Sequence, residues 1–239
     1  ADPAYQPLLS NDPSVYNIDV YHMCPFRYES AYWGMPAFYH AVCPGFANTN
    51  TDGFHVAELA ASRNLKNWSR LGDRQAFIEP SRGDCGAYDL TQIMSPASAV
   101  VRGDELWFYY SGLKYRALTS EENRRDLDKD ASAICLAVLR RDGFVSLDAG
   151  EAGGDMLTDP FVLIGKRLMA NVDAAGGELR VDMLDADGEV KASCAPIEGD
   201  HPSAELVWEK GNIGEQLNNA VSLRFTLRNA KLYSYWVEE

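Results

Sequence analysis

The sequence predicts an all-β protein, and three observations carry that prediction. Apolar and polar residues alternate along 221–228, the period of two that is typical of a strand with one solvent-facing side. Residues 106–110 are continuously apolar and aromatic, as expected for a strand covered on both faces. Turn-forming pairs such as Glu29-Ser30, Asp142-Gly143 and Asp187-Gly188 separate apolar segments, so hairpins are predicted along the whole chain.

Composition excludes several classes of protein. The chain has 239 residues, of which 46% are hydrophobic, and this is enough to bury one or two cores. The net charge of -13, with no Lys/Arg block longer than two residues, argues against nucleic acid and anionic lipid as partners. No apolar run approaches the roughly 20 residues of a membrane span. The five cysteines form no CxxC pair, so neither a metal nor a cofactor is predicted.

The domain boundary is predicted where the composition shifts to glycine and acidic residues, over 148–155. Two β domains, 1–147 and 148–239, follow from that break. Residues 119–130 are nearly all polar and predict a short solvent-facing helix or loop. Asp126, Asp128 and Asp130 alternate as in a calcium loop, but the glycine and glutamate of an EF-hand are missing, which favours a solvated charge cluster.

Two stretches, 21–69 and 93–138, share a layout of a central strand, a hairpin and outer strands. Repeats of about 40 to 50 residues built from four strands are typical of β-propeller blades. The sequence alone therefore favours blades in the first domain.

Several motifs resemble one family. Residues 62–74 resemble a turn of bacterial proteins related to glycoside hydrolase family 32, and similar matches occur at 19–23, 86–89, 101–112 and 139–150. Members of that family have a five-bladed β-propeller followed by a β-sandwich. The resemblance implies that this chain is the C-terminal portion only: a partial five-bladed propeller of two to three blades, followed by the sandwich.

A partial propeller leaves strand edges and apolar blade faces in water, which folded proteins normally cover. The missing blades are therefore predicted to come from a second polypeptide or from another copy of the chain.

The resemblance also implies a site at the propeller axis. Asp19 and Asp89 open two innermost strands and are the candidate catalytic carboxylates, one as acid and the other as base, nucleophile or stabiliser. The alternative is that both cap turns at strand ends. The candidate substrate-binding residues are aromatic or hydrogen-bonding side chains: Tyr21, His22, Tyr88, Gln92 and Tyr110.

One departure from the family weakens the prediction of catalysis. Family 32 hydrolases carry their acid in a Glu-Cys-Pro motif, whereas this chain has Met23-Cys24-Pro25, and a thioether cannot donate a proton. The chain is therefore predicted to bind or hydrolyse carbohydrate at the axis, without activity in the absence of the missing blades. The alternative is a non-catalytic extracellular protein that presents loops such as 113–130 to a protein partner.

Two features favour an extracellular or secreted protein. Asn67-Trp68-Ser69 is a glycosylation sequon, and Cys43 and Cys85 lie among loop residues where a disulfide is possible.

Overall fold

The computed structural model describes residues 18–41, 53–82, 86–115 and 130–239. It divides into two compact units, Ala1–Leu139 and Arg140–Glu239, whereas the sequence places the boundary between Leu147 and Asp148. The described ranges contain antiparallel β-sheets and short 3-10 turns but no α-helix, which confirms the all-β class. Cys43, Cys85, Asp126 and Asp128 lie outside the described residues.

Strands β1 to β8 of the first unit form two four-stranded sheets, ordered β1-β4-β5-β8 and β2-β3-β6-β7. Their bounds are Ile18–His22, Phe26–Tyr28, Ala31–Gly34, Ala37–Ala41, Gly53–Glu58, Ala60–Ser62, Ser69–Arg70 and Ala76–Ile78. The two sheets use successive halves of the same four segments, 18–28, 31–41, 53–62 and 69–78. The chain therefore runs up and down four times, which is the order of a propeller blade.

The Glu29-Ser30 pair forms the predicted hairpin, because Tyr28 and Ala31 are in register across it and Glu29 has a φ of 51°. Gly53 allows β5 to approach β4 closely. A Cβ atom at that position would lie 2.3 Å from the carbonyl oxygen of His40. A larger residue would separate the two strands.

The third sheet of this unit contains β9 (Gln92–Met94), β10 (Val100–Arg102), β11 (Glu105–Leu113) and β12 (Ser132–Arg140). Both β9 and β10 pair with β11, and β12 ends the sheet on the other side of β11. Leu106, Phe108 and Tyr110 of β11 are buried, but Tyr109 is 47% exposed. The prediction that both faces of this strand are covered is therefore wrong within the described structure: one face is covered.

The second unit is one curved sheet of nine strands, β13 to β21. Their bounds are Leu147–Ala149, Gly154–Leu157, Phe161–Val162, Arg167–Leu184, Val190–Cys194, Ile197–Glu205, Trp208–Lys210, Ala220–Arg228 and Ala230–Glu238. The long strand β16 pairs with β21 through its first half and with β20 through its second half. Strand β16 bends near Gly177, between these two halves. A Cβ atom at Gly177 would lie 1.8 Å from the carbonyl oxygen of Arg228.

Because of this bend, the two halves of β16 belong to two layers that enclose one core, as in sandwiches whose strands pass from one layer to the other. Leu168 and Val172 come from the first half, and Leu179 and Met183 come from the second; all four are fully buried in the same cluster as Phe225. The alternating residues of 221–228 supply this core, as their period predicts.

Two turns predicted in this region have different outcomes. Asp187-Gly188 forms the predicted turn between β16 and β17, with a φ of 82° at Gly188. Asp142-Gly143 does not form the predicted hairpin, because the next strand, β13, pairs with β21. The side chain of Asp142 instead accepts a hydrogen bond of 2.6 Å from Ser234 Oγ.

Candidate functional site

The two carboxylates predicted to be catalytic lie in different environments. Asp19 is exposed on β1, in register with Tyr39 of β4. Asp89 is only 6% exposed, and its Oδ2 accepts a hydrogen bond of 2.7 Å from the Tyr110 hydroxyl. Two predicted site residues, Asp89 and Tyr110, are therefore in direct contact.

A buried polar cluster surrounds Asp89. Gly112 allows the close packing, because a Cβ atom there would lie 2.8 Å from the Asp89 Cβ and 2.9 Å from Cys135 Sγ. Burial, reinforced by the Asp89 carboxylate, raises the pKa of Tyr110 above its usual range. Burial and Asp89 also raise the pKa of the Cys135 thiol. The thiol is therefore protonated near neutral pH, so it is not an activated nucleophile.

His22 connects β1 to the segment that follows β9. Its Nε2 accepts a hydrogen bond of 3.0 Å from the backbone N–H of Ser95, so the neutral ring carries its proton on Nδ1. Burial lowers the pKa of His22. The ring is therefore neutral at physiological pH, and its accepting nitrogen is already occupied.

Tyr21 is exposed, and one side of its ring packs against His55. It lies edge-on to the ring of His55, with 4.6 Å between the centroids, and His55 is completely buried beside Tyr39. The Tyr21 ring is thus packed on one side and 48% exposed at the surface.

Tyr88 and Gln92 have other partners. The Tyr88 hydroxyl donates a hydrogen bond to Asp130, and Lys114 Nζ lies 4.5 Å from the centre of the Tyr88 ring. Gln92 Nε2 lies 3.5 Å from Met94 Sδ on the same strand. Asn67 is exposed in the turn that follows β6, and its backbone N–H donates to Asn64 Oδ1.

An open pocket of about 470 Å³ lies in the first unit, between β5 and the segments around residues 80 and 90. Its described lining is mostly apolar, with one carboxylate and one hydroxyl: Gly53, Phe54, Val56, Glu79, Pro80, Leu90 and Thr91. The Phe54 ring is 36% exposed and stacks in parallel on His40, with 5.0 Å between the ring centroids. Sequence reasoning did not identify this pocket.

Two predicted site residues are connected to residues of the pocket, Gln92 along the chain and Tyr21 through His55. Gln92 directly follows Thr91, whose hydroxyl donates a hydrogen bond of 3.2 Å to the carbonyl of Leu113. Tyr21 contacts His55, which directly follows Phe54. Successive side chains of a strand point to opposite faces, so neither Tyr21 nor Gln92 lines the pocket.

The described ranges contain no group of three His, Cys, Asp or Glu side chains arranged to hold a metal ion. A search of the same residues for a helix long and apolar enough to cross a membrane also found none.

These features define an all-β protein whose first unit carries an open, largely apolar pocket with a carboxylate at its wall. No protein-family model matches the chain, and no curated protein matches it. Among solved structures it is similar to a glycoside hydrolase family 43 arabinoxylan arabinofuranohydrolase from Bacillus subtilis, crystallised with cellotetraose. The TM-score is 0.25 and the identity 10%, over 91% of this chain and 53% of the other. The chain thus spans about half the length of that structure, and a similarity at this score carries no argument about family or function.

Proposed function

We propose that the first unit binds a carbohydrate in the open pocket beside Phe54. The observation that supports this proposal is an exposed aromatic ring, Phe54, next to an exposed carboxylate, Glu79, in one concave site. An aromatic ring stacks on the apolar C–H face of a sugar, and a carboxylate accepts hydrogen bonds from sugar hydroxyls.

The dimensions of the pocket agree with a small ligand. A volume of about 470 Å³ lies within the roughly 300–1,000 Å³ of small-molecule sites, and such sites are mainly apolar with a few placed polar groups. Val56, Pro80 and Leu90 supply the apolar walls. The Thr91 hydroxyl is already oriented by Leu113, so its lone pairs are available to accept. One or two sugar rings would fill this space.

Catalysis remains a separate part of the proposal. Asp19 is accessible to a ligand, whereas the buried Asp89 is held by Tyr110 and is better placed to position its neighbours than to contact a sugar. With Met23 where the family 32 motif has its acid, we expect binding without hydrolysis unless a partner completes the site. We further propose a distant relationship to the family 32-like proteins and an extracellular location.

The experiment is a glycan array followed by isothermal titration calorimetry with fructans, arabinans and mannosides. Phe54→Ala and Glu79→Gln should each weaken binding of the selected glycan by about tenfold or more. Val101→Ala is the control, because Val101 is also exposed, on β10, but does not line the pocket. The proposal is wrong if no glycan binds, or if both pocket variants bind as tightly as the parent.

A second candidate function, a protein-interaction scaffold, has its own observation. In the sheet formed by β9 to β12, the side that carries Tyr109 exposes apolar side chains to solvent. A protein partner, whether a second polypeptide or another copy, would cover them.

A further inference from the structure

One face of the sheet formed by β9 to β12 is apolar and exposed. We call it the outer face. It is formed by exposed or half-buried apolar side chains of three strands, which on β11 alternate with buried residues and on β12 with half-buried ones: Val100, Trp107, Tyr109, Ile134, Leu136 and Val138. Ile134 is 71% exposed, Val138 51% and Leu136 41%. Val100 and Trp107 are cross-strand partners, so these side chains share one side of the sheet.

This face is an extended apolar surface. The six side chains present on the order of 500 Å² of apolar surface, close to the largest patch of a typical monomer. Residues 132–139 of β12 contain no charged side chain, and β12 is the last strand of its sheet in the described part of the chain. Long apolar strands at a sheet edge normally carry charges that prevent association, and in this strand the only charge is at its last residue, Arg140.

The charges at the rim indicate which partner fits. Arg102 lies over the Trp107 ring at 4.5 Å, and Glu105 accepts a hydrogen bond of 2.7 Å from Trp107 Nε1. The exposed turn between them adds Asp104, so this end of the outer face carries charges of both signs. A twofold contact repeats the same patch on both sides, so Arg102 of one copy can face the carboxylates of Asp104 and Glu105 on the other.

We propose that two copies of this chain pack against each other through the outer face and form an isologous dimer. This inference goes beyond the proposed carbohydrate site and does not depend on it, because the two share no residue. Covering the patch on both copies removes on the order of 1,000 Å² of surface from water, the lower limit for a specific interface. The dimer is therefore expected to be weak, with dissociation at micromolar concentrations.

The ionic strength should act in a characteristic direction. Two copies of net charge -13 repel each other at long range, and salt screens this repulsion while leaving apolar contacts in place. The dimer should therefore become tighter between about 20 mM and 500 mM salt, for which the Debye length falls from above 10 Å to a few ångströms. A contact held by complementary charges would weaken over the same range.

The test is sedimentation velocity over about 1–300 µM chain at both salt concentrations. Ile134→Lys and Leu136→Lys should each abolish the dimer, since each places a charge in the middle of the patch. Val162→Lys is the matched control, because Val162 is 55% exposed on β15 of the second unit. Circular dichroism checks folding of each variant, and Ile134→Ser provides a milder change should the lysine variants be unfolded.

Hydrogen exchange supplies an independent measurement. Amides of 132–140 should exchange more slowly as the chain concentration rises, while those of 190–194 should not change. The inference is overturned if the parent stays monomeric throughout the range, if Ile134→Lys and Ile134→Ser both dimerise like the parent, or if salt weakens the dimer.

Discussion

A buried ion pair joins the two sheets formed by β1 to β8, and its removal should be costly. Arg70 of β7 donates to both carboxylate oxygens of Glu58 on β5, from Nε at 2.7 Å and from Nη2 at 2.5 Å. The Arg70 and Glu58 side chains are 10% and 8% exposed, and the guanidinium lies 4.1 Å from the centre of the Phe38 ring. The contact is a two-point hydrogen bond between charges in a nearly dry environment.

Glu58→Gln should lower the free energy of unfolding by about 3–5 kcal/mol, because the Arg70 charge stays buried without its carboxylate. The double variant Glu58→Leu/Arg70→Met should recover most of that loss, since apolar residues of similar size replace both charges. Urea unfolding of the parent, of Glu58→Leu, of Arg70→Met and of the double variant measures the coupling between the two side chains. Glu205→Gln is the control, because the Glu205 pair with Arg167 is half-exposed and should contribute less than about 1 kcal/mol.

His40 gives a second measurement of the same contact. Burial lowers the pKa of His40, while the Glu58 carboxylate raises it and Arg70 lowers it. Glu58→Gln removes the contribution that raises the pKa, so an NMR titration should find the His40 pKa lower than in the parent. The reasoning is refuted if Glu58→Gln costs less than about 1 kcal/mol, or if the effects of the two single variants simply add in the double variant.

Three further changes test other parts of the structure. Tyr110→Phe should cost about 1–3 kcal/mol in urea unfolding, because Asp89 loses a buried donor. The raised pKa of Tyr110 means that its contribution to stability is complete below pH 10 and is lost at higher pH, which an alkaline unfolding series measures. Phe225→Ala should cost about 3–5 kcal/mol in thermal or urea unfolding, since the side chain is fully buried. Gly177→Ala should destabilise by about 1–3 kcal/mol, whereas Gly150→Ala, with open space at its Cβ, should have little effect in the same assay.

The strands were predictable because their signal is local. Residues 221–228 alternate with a period of two, and the structure places the apolar set in the core of the second unit. The outcome at Asp142-Gly143 depended on distant residues instead. Asp142 has a φ of 56°, as a turn requires, but its hydrogen bond to Ser234 and the pairing of β13 with β21 join it to strands about 90 residues further along the chain. No pattern within the turn itself encodes those partners.

The candidate site was predictable only in part, for the same reason. Asp89 and Tyr110 were identified separately, but their hydrogen bond links residues 21 positions apart and buries the carboxylate. The pocket is assembled from three separated segments, around residues 53–56, 79–80 and 90–91. Phe54 and Glu79 carry no motif, so only the approach of β5 to the later segments reveals that they share a concave surface.

The pocket and the outer face both belong to the first unit, and this allows the two proposals to fail separately. Phe54 and Glu79 line the pocket, whereas Ile134 and Leu136 lie on β12, and no residue belongs to both sets. If binding and dimerisation are independent, Phe54→Ala leaves the dimer unchanged and Ile134→Lys leaves glycan affinity unchanged. If the second copy instead contributes to the carbohydrate site, glycan binding and dimerisation are linked. Dimerisation then increases the glycan affinity by some factor, and a saturating glycan must increase the dimer affinity by the same factor. Measuring both factors therefore decides whether the second copy contributes to the carbohydrate site.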